Sequence, residues 1–200
     1  MAAMTLDTRS ALLDLAEELA QTRGLNAFSF QDLANGVGIR AASVHHHFPT
    51  KEDLGRAIME RYRVRFNESI LSITTRARSP RKRLEAFADL FLETLNRGNR
   101  LCLCGMLATE YATLPPSVQR EVRAFYEATE SWLARVLSEG REVGALQFEG
   151  SPSSVAKTFL ATLEGAMISA RTFGDERRLA RAARWFIDSI EVREPRPRGA

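Results

Sequence analysis

Apolar residues recur along almost the whole chain at the three-and-four spacing of a helix, and no run alternates apolar with polar residues beside a hairpin turn. The pattern predicts an all-α protein of about nine helices. Leu12, Leu15, Ala16 and Leu19 form the stripe of a first helix, closed at Gly24, a residue suited to the left-handed backbone after a helix end. Two short helices and their turn fit between Ser29 and Leu54, in the stretch SFQDLANGVGIRAASVHHHFPTKEDL. A long helix then starts near Thr50 with Leu54, Ile58, Tyr62, Phe66, Ile70 and Ile73 on one side, reaching on the order of 35 to 40 Å at about 1.5 Å per residue. Ser79-Pro80 is a cap followed by proline at the first helical position; Leu84, Phe87, Phe91 and Leu95 mark the buried side of that helix, which should end by Gly98. A short helix containing Met106, Leu107 and Tyr111 is closed by Leu114-Pro115-Pro116. The regular stripe Val118, Val122, Phe125, Thr129, Trp132 and Val136 follows, with Gly140 and Gly144 punctuating its end. Ser151-Pro152 opens a helix with Val155, Phe159, Leu163, Ala166 and Met167, and Leu179, Ala183, Phe186, Ile187 and Ile190 carry the last one. Alternating proline and arginine from Glu194 onward predict a frayed tail.

The stretch from Ser29 to Leu54 carries the most chemistry and holds all three histidines of the chain. Ala34, Gly38 and Val44 stand where a helix-turn-helix needs a small residue at the crossing, a residue that tolerates the turn, and an apolar residue returning to the core. Leu33, Val37, Ile39 and Phe48 supply the rest of that core. Ser29 with Asp32, and Thr50 with Asp53, have the spacing of reciprocal caps at helix starts. A helix from about Arg40 to Phe48 would enter the major groove with its N-terminal residues at the base edges. Arg40 can pair with guanine through two hydrogen bonds, Ser43 can bond a base or phosphate, and Ala41 can touch a thymine methyl. His45, His46 and His47 can donate to phosphate oxygens even when neutral, and Lys51 adds charge at the next helix start. Ser29, at the head of the unit, completes the expected DNA-facing set. Consecutive helical residues diverge by roughly 100°, so the histidine triplet cannot converge on one ion and no metal or other cofactor is expected.

Thr8-Arg9, the Leu33-Ala34 pair and the run from Val44 through His45-His46-His47-Phe48-Pro49-Thr50-Lys51 to Leu54 resemble the N-terminal domain of TetR-type transcriptional regulators. The resemblance implies a helix-turn-helix DNA-binding domain over residues 1–50, a ligand-binding and dimerisation domain over 51–192 and a flexible tail over 193–200. It also implies a bacterial, ligand-responsive, homodimeric repressor, with His47 and Lys51 on recurrent backbone-contact positions. Two departures stand out. Arg40 occupies a position where relatives usually carry Ser or Thr, and His45 one where they carry Tyr, so base preference does not transfer from relatives. A single reading helix covers few base pairs, so a second copy and a near-palindromic double-stranded operator are expected. Phe159, Leu163, Phe186, Ile187 and Ile190 are the expected residues of a two-fold four-helix interface. The aromatic and sulfur side chains Phe66, Phe91, Met106, Tyr111, Phe125, Trp132, Phe159 and Met167 are the candidates to surround a small, mostly apolar inducer.

Composition adds boundaries. A formal charge of +3 is too mild to identify a nucleic-acid binder, but basic residues gather from Arg56 to Arg83. Arg61, Arg63 and Arg65 read as solvent-facing, as do Asp14, Glu17 and Glu18 on the first helix. No run is long and apolar enough for a membrane span, no secretory signal opens the chain, and the two cysteines suit a reducing interior, so the cytoplasm is the expected compartment. Cys102 and Cys104 raise an alternative: a thiol-based redox or electrophile sensor, activated by Arg100 or a helix N-terminus, in a segment to Glu110 that resembles a sensing branch of the same family. An enzyme is not expected, because no histidine outside the reading unit serves either thiol as base and no glycine-rich phosphate loop exists. A helical protein-interaction module without specific DNA binding is the remaining rival class, and steep salt dependence of DNA affinity separates the two.

Overall fold

The computed structural model describes the backbone of residues 2–192 and the side chains of residues 8–192; the expected tail at 193–200 lies outside the described residues. In chain order the helices are α1 (Ala2–Arg23), α2 (Phe30–Val37), α3 (Ala41–His47), α4 (Lys51–Arg76), α5 (Pro80–Asn96), α6 (Leu103–Thr109), α7 (Pro116–Glu142), α8 (Pro152–Phe173) and α9 (Arg177–Ile190). Single 3₁₀ turns cover Leu25–Ala27 and Tyr111–Thr113. The described residues contain no strand, and one isolated antiparallel bridge pairs Leu146 with Glu191. The all-α expectation and nearly every helix start hold for local reasons. Ser151 Oγ accepts from the Ser154 N–H at 3.1 Å and Pro152 occupies the first turn of α8, while Gly174, at φ +60°, ends it.

Two boundaries differ from the pattern-based expectation. Tyr111 does not continue α6: Glu110 ends that helix, and Tyr111 opens a separate tight turn closed by the Thr113 N–H on the Glu110 carbonyl at 2.9 Å. Gly140 lies inside α7 instead of ending it. A Cβ there would stand 2.3 Å from Leu146 Cδ1 and 3.1 Å from Pro80 Cβ, so the glycine serves a close approach, and Gly144, at φ +71°, makes the turn.

The chain forms two compact units. One takes the residues up to Ser69 together with Thr94–Glu127; the other takes Ile70–Glu93 and the described residues from Ala128 onward. In the first unit Leu12, Ala16, Leu33, Ala34, Val44, Phe48, Leu54 and Ile58 are buried, so α1 to α4 share one small core. Gly36 of α2 faces Leu15, whose Cδ2 would stand 2.4 Å from an added Cβ. Arg61, Arg63 and Arg65, expected to face solvent, are ion-paired: Arg65 is exposed as expected, whereas Arg61 and Arg63 are half-buried. Arg61 pairs with Asp14 at 2.7 Å and with Glu17 at 3.3 Å, Arg65 also bonds Glu17, and Arg63 reaches Glu121 at 3.2 Å. Glu17 is buried by this arrangement, where periodicity alone had put it in solvent.

In the second unit Phe87 meets Trp132 at 5.5 Å and Phe159 at 6.2 Å between ring centroids, and Phe159 stacks on Phe186 at 4.7 Å. Arg81 of α5 donates to Asp188 at 2.7 Å and also bonds Glu85 and Glu191, fastening the end of α9. Hydrogen bonding to Asp188 is the main reason that the Arg81 guanidinium is held above its ordinary pKa. Removing the ring at the centre of this cluster leaves a cavity that rigid helices cannot close. Phe159→Ala is expected to cost about 3 to 5 kcal/mol in denaturant unfolding at fixed protein concentration; a loss under about 1 kcal/mol would show that the cluster repacks.

Candidate nucleic-acid interface

The reading unit is built from caps inward. At the start of α2, Ser29 Oγ accepts from the Asp32 N–H at 3.2 Å while Asp32 Oδ2 accepts the Ser29 N–H at 2.7 Å. The Ser29 hydroxyl also donates to Asp32 Oδ2 at 2.7 Å, and the bonds from Ser29, the backbone one first, hold the Asp32 carboxyl below its usual range. Thr50 and Asp53 repeat the arrangement at the start of α4, with the Thr50 hydroxyl donating to Asp53 Oδ2 at 2.7 Å. Between them the chain must reverse. Gly38 does this at φ +75°, and the Ile39 N–H bonds back to the Ala34 carbonyl at 2.9 Å. Arg40 is extended at φ −81°, ψ 146°, and its exposed side chain makes no cap bond.

Of the seven residues of α3, only Val44 is fully buried; Ala42, His45 and His46 are exposed and Ala41, Ser43 and His47 half-buried. Phe48 closes the helix from the core, with the Arg9 guanidinium 5.1 Å above its ring. His45 packs edge-on against Phe30 at 4.7 Å. Burial, then electrostatic interaction with His46 and Arg9, pushes His47 below its ordinary pKa. Of the expected DNA-facing residues, Ser29 and Lys51 already have hydrogen-bonding partners within the chain. Ser29 is locked in its cap. Lys51 Nζ donates to the Phe28 carbonyl and lies 3.4 Å from the centroid of the Phe28 ring.

The other expected sites divide. Phe66 and Phe125 meet at 4.7 Å, joined by Tyr62, which stacks on Phe66 at 6.1 Å and was not among the expected lining residues. In the second unit Phe91, Trp132 and Phe159 converge on Phe87, a second ring that the expectation omitted although it shares their helical spacing. Met167 is buried in that unit, Met106 is half-buried, and the Tyr111 hydroxyl accepts from Arg123 at 3.2 Å. The five residues expected at a dimer interface point inward: Phe159, Leu163, Phe186, Ile187 and Ile190 are at most 7% exposed within the single chain. A helix stripe does not say which neighbour covers it, and here the chain's own helices do. The large exposed apolar residues of α8 and α9 are Ile168, Phe173 and Trp185, at 47%, 64% and 72%.

The cysteines also differ from expectation. Cys102 and Cys104 are both buried, with the Tyr62 hydroxyl 3.7 Å from Cys102 Sγ, and Arg100 donates to Glu18 at 2.7 Å instead of activating a thiol. The geometry does not favour the thiol-sensor alternative.

Residues 12–58 match the domain described as bacterial regulatory proteins of the tetR family, and residues 80–186 match the tetracyclin repressor-like C-terminal domain. The chain belongs to the TetR family. A TetR-family regulator from Agrobacterium tumefaciens superposes with a TM-score of 0.91 at 33% identity, covering 94% of this chain and 100% of that one. Among relatives by sequence, the repressor DhaR of Mycobacterium sp. strain GP1 is 24% identical over 161 residues, 80% of each chain. The repressor NemR of Escherichia coli K12 is 25% identical over 168 residues, 82% of this chain and 84% of that protein. As a TetR-family protein the chain is a DNA-binding transcriptional regulator, which sets aside the protein-interaction module. No helix among its described residues is long and apolar enough to cross a membrane.

Burial drives the Lys51 amine down from 10.5 to about 8, against the opposing charges of Asp32 and Glu110. The folded protein thus releases this proton before the unfolded chain does. Between about pH 8 and 10.5 the unfolded state binds more protons, and this group makes stability rise with pH. The unfolding free energy of the wild type minus that of Lys51→Met should therefore move in favour of the wild type from about pH 7.5 to about pH 10. A flat difference would place the amine at an ordinary value.

Proposed function

We propose that this regulator is a homodimeric repressor that reads a near-palindromic double-stranded operator and is released by a small, mostly apolar inducer. Residues 1–50 are the DNA-binding domain in this reading and residues 51–192 the inducer-binding and dimerisation domain, working in the cytoplasm. The observation that carries it is α3: a helix that buries one residue and presents Arg40, Ala42, His45 and His46 has its chemistry facing outward. Arg40 pairs with guanine, Ala41 meets a thymine methyl and Ser43 a base or phosphate, while His45, His46, His47 and Lys51 hold the backbone. The relatives named as repressors support repression over activation. The rings around Phe66 and Phe125, and those around Phe91, Trp132 and Phe159, are the apolar surfaces from which an inducer site would be made. The dimer forms through the exposed apolar residues of α8 and α9, with Trp185 as the main anchor.

Selection of a duplex from a random-sequence pool by the purified protein tests the reading. Arg40→Ala should weaken binding to the selected duplex by about tenfold or more while changing affinity for random DNA much less; equal loss on both would reduce Arg40 to a backbone contact. Trp185→Asp should shift the protein from dimer to monomer in analytical ultracentrifugation and weaken operator binding with it. A wild-type protein that is strictly monomeric, or that selects no sequence, would overturn the assignment.

A further inference from the structure

The segment joining α1 to α2, from Gly24 to Ser29, cannot satisfy its own backbone. Its only regular structure is the single turn Leu25–Ala27, whose first N–H groups have no carbonyl behind them to bond and whose preceding residue offers no side-chain cap. One carboxylate, distant in sequence, takes both. Glu110, the residue that ends α6, accepts from the Leu25 N–H at 2.7 Å and from the Asn26 N–H at 3.3 Å. It reaches them because Gly24 has no side chain: a Cβ there would stand 2.5 Å from Glu110 Oε1, and φ at Gly24 is +99°, a conformation that suits glycine alone. A second tie runs beside the first. Asn26 Nδ2 donates to Thr113 Oγ1 at 2.9 Å, and that hydroxyl donates to the Glu110 carbonyl at 2.9 Å.

The other end of the same segment is held by the reading unit. Asp32 accepts the Ser29 N–H, and Lys51 donates to the Phe28 carbonyl from the first turn of α4. Six consecutive residues are thus suspended between Glu110 on one side and the capped start of α2 on the other. Where Glu110 stands decides where Ser29 stands, and with it the entry into α2 and the turn that presents α3.

We propose that Glu110 is a positioning residue for DNA binding: from the end of α6 it fixes the connector ahead of α2 and thereby sets the placement of the reading helix. The proposal rests on the DNA-reading assignment above. Hydrogen bonds from two backbone donors to one carboxylate are charge-assisted, and without them the connector regains backbone freedom that binding would have to remove again. The charge of Glu110 acts separately from its bonds. Asp32 on α2 and Glu110 at the end of α6 are the negative groups that favour the Lys51 ammonium against its burial, while Arg23 at the end of α1 acts on Asp32. Loss of the Glu110 charge therefore makes Lys51 shed its proton at lower pH, and a neutral amine is a poorer partner for phosphate.

The full chain carrying Glu110→Ala or Glu110→Gln tests this, the second variant keeping the side-chain volume and one acceptor oxygen. Three readouts are compared with the wild type: amide hydrogen exchange without DNA, affinity for the duplex that the wild type selects from a random pool, and the pH dependence of that affinity. In Glu110→Ala, exchange at Leu25 and Asn26 should quicken and duplex affinity fall, each by about tenfold, with amides of α8 and α9 unchanged. Glu110→Gln should perturb exchange less. In both variants the loss of affinity with rising pH should begin at lower pH, which a purely structural residue would not cause. Unchanged exchange at the two amides, or faster exchange with wild-type affinity and pH profile, overturns the proposal. A wild type that selects no duplex sinks the DNA-reading assignment and this role together, whereas equal selection by the wild type and Glu110→Ala sinks this role alone.

Discussion

A helix of seven residues cannot hold itself together in water, and everything else in the reading unit follows from that limit. Val44 is its one fully buried side chain, and Phe48 anchors its end in the same core as Leu33, Ala34 and Leu54. The remaining order comes from outside: a left-handed glycine at Gly38, a reciprocal cap at Ser29, another at Thr50, and Arg9 over the Phe48 ring. Because its neighbours stabilise it, the helix can leave Ala42, His45 and His46 exposed.

The distribution of charge has the same logic. The chain is rich in arginine, yet Arg61, Arg63 and Arg65 of α4 pair with Asp14, Glu17 and Glu121, and Arg100 is taken by Glu18. These cations tie helices to one another. Arg40, by contrast, is exposed at the head of α3 with no cap bond. Lys51 stands between these cases, half committed to Phe28 by its hydrogen bond and its ring contact, and burial keeps its charge labile near pH 8.

Much of this was legible in the sequence wherever the signal is local. Ser-Pro starts at Ser79 and Ser151, the Ser29/Asp32 and Thr50/Asp53 spacings, and the glycine after α2 act within a few residues of themselves, so they appear in the structure where pattern placed them. In the unit from Ser29 to Leu54, Leu33, Ala34, Val44 and Phe48 are buried and Gly38 makes the turn as expected, while Val37 and Ile39 are only half-buried. What was missed involves partners distant in the chain. Gly140 looked like a helix stop but makes room for Leu146 and Pro80; Tyr111 looked like part of α6 but follows a break at Glu110. Glu110 itself carried no signal, because nothing local distinguishes a carboxylate that bonds two amides 84 and 85 residues away.

Periodicity therefore determined the fold class and the order of the helices, since backbone propensity and capping are properties of neighbours. It could not say which helix covers which stripe. The structure decided that Phe159, Leu163, Phe186, Ile187 and Ile190 face their own chain while Trp185 faces out, and that the cysteines are enclosed. An apolar face is defined by its residues, but its occupant is chosen by competition among all the faces the folded chain brings within reach.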